Sequence, residues 1–122
     1  MSRILLIEDD EPIIKAIEQK MAEANMTIMV ARNGGEGLVQ SIASHPDLIL
    51  LDLIMPVMNG VSMLEKLRQD EWGKNAKVII LTNVADPNRE SVCAKLNVKD
   101  YTIKSDSELK DLVEITKKRL KE

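Results

Sequence analysis

Four continuous apolar runs constrain this chain more than any other feature. They cover residues 4–7, 26–31 (with Thr27 the one polar interruption), 48–51 and 78–81, and residues 101–103 form a weaker fifth. A strand with one wet face alternates apolar and polar residues. A continuous run needs cover on both faces, as inside a parallel sheet. The segments between the runs carry the other period. Ile13, Ile14, Ile17 and Met21 recur at helical spacing, as do Val61, Leu64 and Leu67, and then Leu109, Leu112, Val113, Thr116 and Leu120.

The helix ends are marked by their own chemistry. Asp86 followed by Pro87 reads as an N-cap with proline at the first helical position, where the missing N–H costs little. Ser105 with Glu108 reads as a capping box. Asn33 and Asp10 are the expected caps of two further helices, and Asn97 suits a left-handed position after the fourth. The order is therefore strand–helix repeated five times. Parallel neighbours need crossover helices, so the fold class is α/β, a five-stranded parallel doubly wound sheet. The order 2-1-3-4-5 is the common one for such a sheet and is the expectation. No linker or repeat divides residues 1–122, which are expected to form one domain.

Composition narrows the setting. At 44 % hydrophobic residues the chain can build a core without disulfides, and Cys93, the only cysteine, has no partner for one. A lone cysteine on a helix reads as a small buried apolar residue. A net charge of −3 gives no argument for direct nucleic-acid binding. No apolar run approaches the ~20 residues of a membrane span, and the N-terminus lacks a signal-peptide pattern. A cytoplasmic location is the expectation.

Glu8, Asp9, Asp10 and Glu11 follow the first strand directly. Ligands of open α/β sheets bind outside the carboxyl ends of the strands, so this loop lies where a site belongs. Four carboxylates would repel a nucleotide phosphate but suit a hard cation such as magnesium, which takes oxygen ligands. Asp52 ends the third run, and the expected strand order brings it near Glu8 and Asp9. Two unit charges ~4 Å apart repel by ~4 kcal/mol at an effective dielectric of ~20, so such a cluster calls for a cation or for protons. Thr82 ends the fourth run and Lys104 lies just past the fifth. A carboxylate, a hydroxyl, an ammonium and an acidic pair at one sheet edge form a set able to accept a phosphoryl group.

The motifs ILLIEDDEP, DLIMPVMNG, ILTN and DYTIK, in this order and spacing, resemble the receiver domains of two-component response regulators, with their flavodoxin-like fold, along essentially the whole chain. The resemblance implies that Asp52 accepts phosphate from a sensor histidine kinase or a phosphotransfer protein. It implies Mg2+ held directly by Asp9 and Asp52 with the Ile54 carbonyl, and through water by Glu8. It makes Thr82 and Lys104 phosphate ligands, and Tyr101 an aromatic switch residue whose rotamer follows Thr82. It places the output, to an effector or a second copy, on the fourth helix, fifth strand and fifth helix, where Lys95, Lys99 and Lys110 would lie. Such a domain is a self-phosphorylating switch, not a conventional enzyme.

Three departures from the family pattern stand out. Asn83 follows Thr82, where a small residue is usual. Ser105 follows Lys104, where proline after a cis bond is usual; a cis bond before serine costs ~2.5–4 kcal/mol. Phenylalanine is absent, so Met21, Met29 and Met63 read as core filler. Asn83 and Ser105 leave room for a second reading, a receiver-like scaffold that signals without phosphate. A magnesium-dependent phosphatase would need an acid two positions after Asp52, where Ile54 stands. Of the remaining residues, His45 before Pro46 reads as a dipole complement at a helix end, and Trp72 as packing over a sheet edge. Lys117, Lys118, Arg119 and Lys121 read as a solvated basic helix end.

Overall fold

A computed structural model describes residues 2–53, 55, 58–82, 86–103 and 106–122, with side chains omitted for residues 103 and 106–110. The elements alternate throughout: β1 (Ile4–Ile7), α1 (Glu11–Glu23), β2 (Ile28–Ala31), α2 (Gly34–Ser44), β3 (Leu48–Asp52), α3 (Gly60–Gln69), a single 3-10 turn (Gly73–Asn75), β4 (Val78–Thr82), α4 (Pro87–Lys95), β5 (Asp100–Ile103) and α5 (Asp106–Leu120). The five strands form one parallel sheet in the order β2-β1-β3-β4-β5, as expected. Strand 2 starts two residues later than its apolar run, because the Met26 amide is still bonded to the Met21 carbonyl at 2.8 Å, closing the turn after α1.

Alternate strand residues feed two cores, which explains the continuous apolar runs. Leu5, Ile7, Ile49, Leu51, Val78 and Ile80 join Met63, Leu64 and Leu67 of α3 and Cys93 of α4 on one face. Ile4, Leu6, Leu48, Leu50, Ile79 and Leu81 join Ile14, Ile17 and Met21 of α1 and Leu112 of α5 on the other. Met21 and Met63 are fully buried and Met29 packs partly against the first core, so the methionines fill space as read. Burial pushes the Cys93 thiol up, with Glu90 adding to the effect, which keeps the sulfur an inert packing group.

The caps follow the sequence with one exception. Asn33 accepts from the Glu36 amide at 2.8 Å, and Asp86 from the amides of Asn88 and Arg89 at 3.0 and 3.3 Å. Asn97 is left-handed at φ 64°. Asp10 occupies the N-cap position of α1, but its side chain makes no cap bond. Pro12 at the second helical position offers no amide to it. The capping box of Ser105 and Glu108 lies outside the described residues.

One other reading changes, and two gain a partner. Arg119 is not a solvated end charge: it clamps Asp100 through Nε at 2.5 Å and Nη2 at 3.1 Å, and Glu122 through Nη1 at 2.6 Å. Lys117, Lys118 and Lys121 are exposed as expected. His45 caps α2 with its amide on the Ser41 carbonyl at φ 48°, and its ring stacks on Trp72 at 4.5 Å between centroids. Trp72 lies near the entries of β3 and β4, lining one surface with Asp47 and Lys77.

Candidate functional site

The sheet register sets the acidic site. Ile7 lies opposite Leu51, so the next step along each strand brings Glu8 beside Asp52 at the carboxyl edge. The Glu8 amide bonds to the Ala31 carbonyl at 2.9 Å and prolongs the β1–β2 ladder by one residue. Its Oε2 accepts from the amides of Asp9 and Asp10 at 3.1 and 3.3 Å, so a buried carboxylate sits against the start of α1, where the helix dipole favours negative charge. Asp9 is exposed at the rim, and Asp52 is 4 % exposed at the end of β3. One carboxylate oxygen from each of Glu8, Asp9 and Asp52 lies within 4.8 Å of the others.

That spacing fits a small dication. Magnesium–oxygen distances of about 2.1 Å put two direct ligand oxygens at most about 4.2 Å apart, and this ion retains several waters. Ile54, whose carbonyl the resemblance assigns to the ion, lies outside the described residues. So do Lys104, Asn83 and Ser105.

Gly60 makes the floor of the site possible. Its amide donates to the Leu53 carbonyl at 2.8 Å, and a Cβ built on it would stand 2.4 Å from the Asp52 carbonyl oxygen. The start of α3 can approach the Asp52 peptide this closely only without a side chain. Asn59 caps the same turn by accepting from the Ser62 amide at 2.9 Å. Sequence reading used Asn59-Gly60 as part of a motif and missed this packing role; the adjacent cap and glycine were the available signal.

Thr82 ends β4 at 1 % exposure, opposite Ile103, and Tyr101 lies two residues earlier on β5, opposite Ile80. The Tyr101 ring packs against the core that contains Cys93 and Val98, and its hydroxyl is enclosed. Burial pushes the phenol up, Cys93 and Asp86 push the same way, and the Thr82 hydroxyl and Arg89 oppose them. Thr82 thus acts on the phenol as a polar neighbour, although no hydrogen bond of regular geometry joins the two. Of the expected output lysines, Lys95 is exposed on α4. Lys99 stands at the opposite pole, paired with Glu122 at 3.6 Å, and the Lys110 side chain lies outside the description.

The geometry agrees with comparison to known proteins. The family described as the response regulator receiver domain matches residues 4–117. The chain belongs to this family. As a receiver domain it resembles the response regulator ArlR of Staphylococcus aureus, 28 % identical over 104 residues, which cover 85 % of this chain and 46 % of that protein. The chain therefore spans about half the length of the curated relatives it matches. A CheY-like receiver domain protein from Methanospirillum hungatei JF-1 superimposes with a TM-score of 0.89 at 26 % identity, covering 99 % of this chain and 94 % of that one. The receiver domain of the Francisella response regulator 1452 does so with a TM-score of 0.88 at 28 % identity, covering 99 % and 98 %. The receiver fold, the strand order and a carboxylate set compatible with magnesium are thus in place. No helix among the described residues is long and apolar enough to cross a membrane.

Proposed function

We propose that Asp52 is the phosphoacceptor of a magnesium-dependent switch. The observation that carries this reading is the convergence of Glu8, Asp9 and Asp52 at the carboxyl edge of the sheet. In the proposed arrangement Asp9 and Asp52 hold the ion directly with the Ile54 carbonyl, and Glu8 holds it through water. Bound there, magnesium would neutralise the carboxylates and the incoming phosphoryl oxygens. An Asp52 carboxylate oxygen attacks phosphorus as the bond to the donor breaks, leaving an acyl phosphate on Asp52 and the donor without its phosphoryl group. Thr82 donates its hydroxyl to one transferred oxygen, and Lys104 offsets the charge of another. The donor is a sensor histidine kinase or a phosphotransfer protein, and the setting is the cytoplasm. The output face is α4, β5 and α5, presented to an effector or a second copy, with Thr82 and Tyr101 as the link.

Acetyl phosphate supplies a small donor for the test. With magnesium it is expected to add one phosphoryl mass, which hydroxylamine removes, and Asp52→Asn is expected to take up none. Uptake of the same mass by Asp52→Asn would rule out the assignment. No uptake by either protein would favour the phosphate-independent scaffold.

A further inference from the structure

α4 is held differently from the helices around it. It has nine residues, and six in succession, 87–92, are exposed. Cys93 is its one buried side chain, whereas α1 buries Ile14, Ile17 and Met21, and α3 buries Met63, Leu64 and Leu67. A helix this short has too little intrinsic stability to stand alone. What fastens it therefore decides which part can move.

The fastening is at its C-terminal end. The Asn97 amide bonds to the Ala94 carbonyl and the Val98 amide to the Cys93 carbonyl, each at 3.1 Å, closing a Schellman turn around left-handed Asn97. Val98 and Cys93 are buried in the same core. The half-buried guanidinium of Arg68, on α3, then grips this turn from outside. Its Nε donates to the Leu96 carbonyl at 2.7 Å and its Nη2 to that of Asn97 at 3.4 Å. Its Nη1 donates to the carbonyls of Gly73 and Ala76, both at 2.8 Å, on the 3-10 turn before β4. One planar cation thus ties α3, the approach to β4 and the exit of α4. Its acceptors at α4 lie at the negative end of the helix, where a cation is favoured. A lysine could not span them, because its donors share one atom.

We infer that Arg68 is the anchor that fixes the C-terminal end of α4 and leaves its first two turns as the part that moves. The functional half of this inference rests on the proposed output face. A change at Thr82 would enter α4 at its N-cap, Asp86, and end at Leu96 and Asn97, where the backbone is held from two sides.

The anchor is tested without phosphate, by amide hydrogen exchange followed by NMR on the whole chain. In the wild type the amides of Ser91 and Val92 are expected to exchange about tenfold faster than those of Leu96 and Val98, or more. Arg68→Met keeps the apolar stem and removes the donors; it is expected to erase that difference while Leu5 and Leu6 of β1 keep their protection. Arg68→Lys, a milder change, is expected to fall between the two. Uniform exchange along α4 in the wild type overturns the inference, and so does an even loss of protection across the whole sheet in both variants. Beryllofluoride, standing in for the phosphoryl group, supplies the second arm. Shifts are expected over residues 86–92 but not at Leu96 and Val98, and equal shifts at both ends would overturn the pivot. A complete lack of response would instead count against phosphorylation at Asp52, leaving the anchor to the exchange result.

Discussion

Gly60 shows how much of the site depends on a single missing atom. A methyl group at this position meets the Asp52 carbonyl oxygen, a backbone atom that cannot move aside without moving the acceptor. Gly60→Ala is expected to cost about 1–3 kcal/mol in denaturant unfolding and to slow phosphoryl uptake. Gly35→Ala is the contrast, since its added Cβ meets only the Asn33 side chain, at 3.3 Å, and stability should change by less than about 1 kcal/mol. Equal losses in the two variants would contradict this packing. Both are helix-start glycines, Gly60 directly after its cap and Gly35 one residue further on; the difference in cost lies in what packs above. The enclosure of Tyr101 was not legible in the sequence, because it is a property of β5 and the core beneath α4 together. As the only tyrosine, it can be followed by tyrosinate absorbance. Its folded pKa is raised above the ordinary 10.0, so its contribution to stability is present below pH 10 and is lost as pH rises through the folded value. The midpoint is expected above 10, and higher still in Thr82→Ala, which loses a group that opposes the rise. A midpoint at the ordinary value would mean the hydroxyl is not enclosed.

At the scale of elements, sequence reading succeeded where the signal is local. The caps at Asn33 and Asp86 and the left-handed Asn97 follow from the backbone needs of a helix end, which neighbouring residues alone satisfy. It failed where a partner arrives from far along the chain. Arg119 looks like one of several solvated cations until β5 brings Asp100 beside it, and Trp72 has no visible partner until α2 delivers His45. The Asp100–Arg119 pair is mostly shielded, at 16 % and 17 % side-chain exposure, and joins the end of α5 to the start of β5. Arg119→Met is therefore expected to cost about 1–2 kcal/mol by chemical denaturation, after allowing for partial screening by solvent. Lys117→Met, at an exposed position, should change stability by less than about 0.5 kcal/mol. Equal effects would return Arg119 to the solvated run.

For the whole molecule, fold and site pull in opposite directions. The two cores close the sheet on both faces, and the strand order that follows gathers three carboxylates at one edge. The parallel α/β class was legible because continuous apolar runs alternate with amphipathic segments, whereas the strand order was taken from the common arrangement of such sheets. The approach of Asp52 to Glu8 and Asp9 was expected from that order; what the sequence does not show is the register of β1 on β3 that sets its distance. Magnesium should relieve the repulsion and stabilise the fold by mass action, by about 2.7 kcal/mol at 100 times its dissociation constant, or roughly ten degrees in melting temperature. Asp9→Ala is expected to lose most of that shift and to be more stable than the wild type without metal; an unchanged shift would place the ion elsewhere. In the proposed mechanism the phosphoryl group resides on Asp52. Borohydride reduces an aspartyl phosphate to homoserine, with hydride delivered to the acyl carbon and phosphate released, and so marks the acceptor permanently. After acetyl phosphate, magnesium and borohydride, peptide mass mapping is expected to find homoserine at position 52 and nowhere else. Reduction at Glu8 or Asp9 instead, or no reduced residue in protein that has gained a phosphoryl mass, would contradict the account.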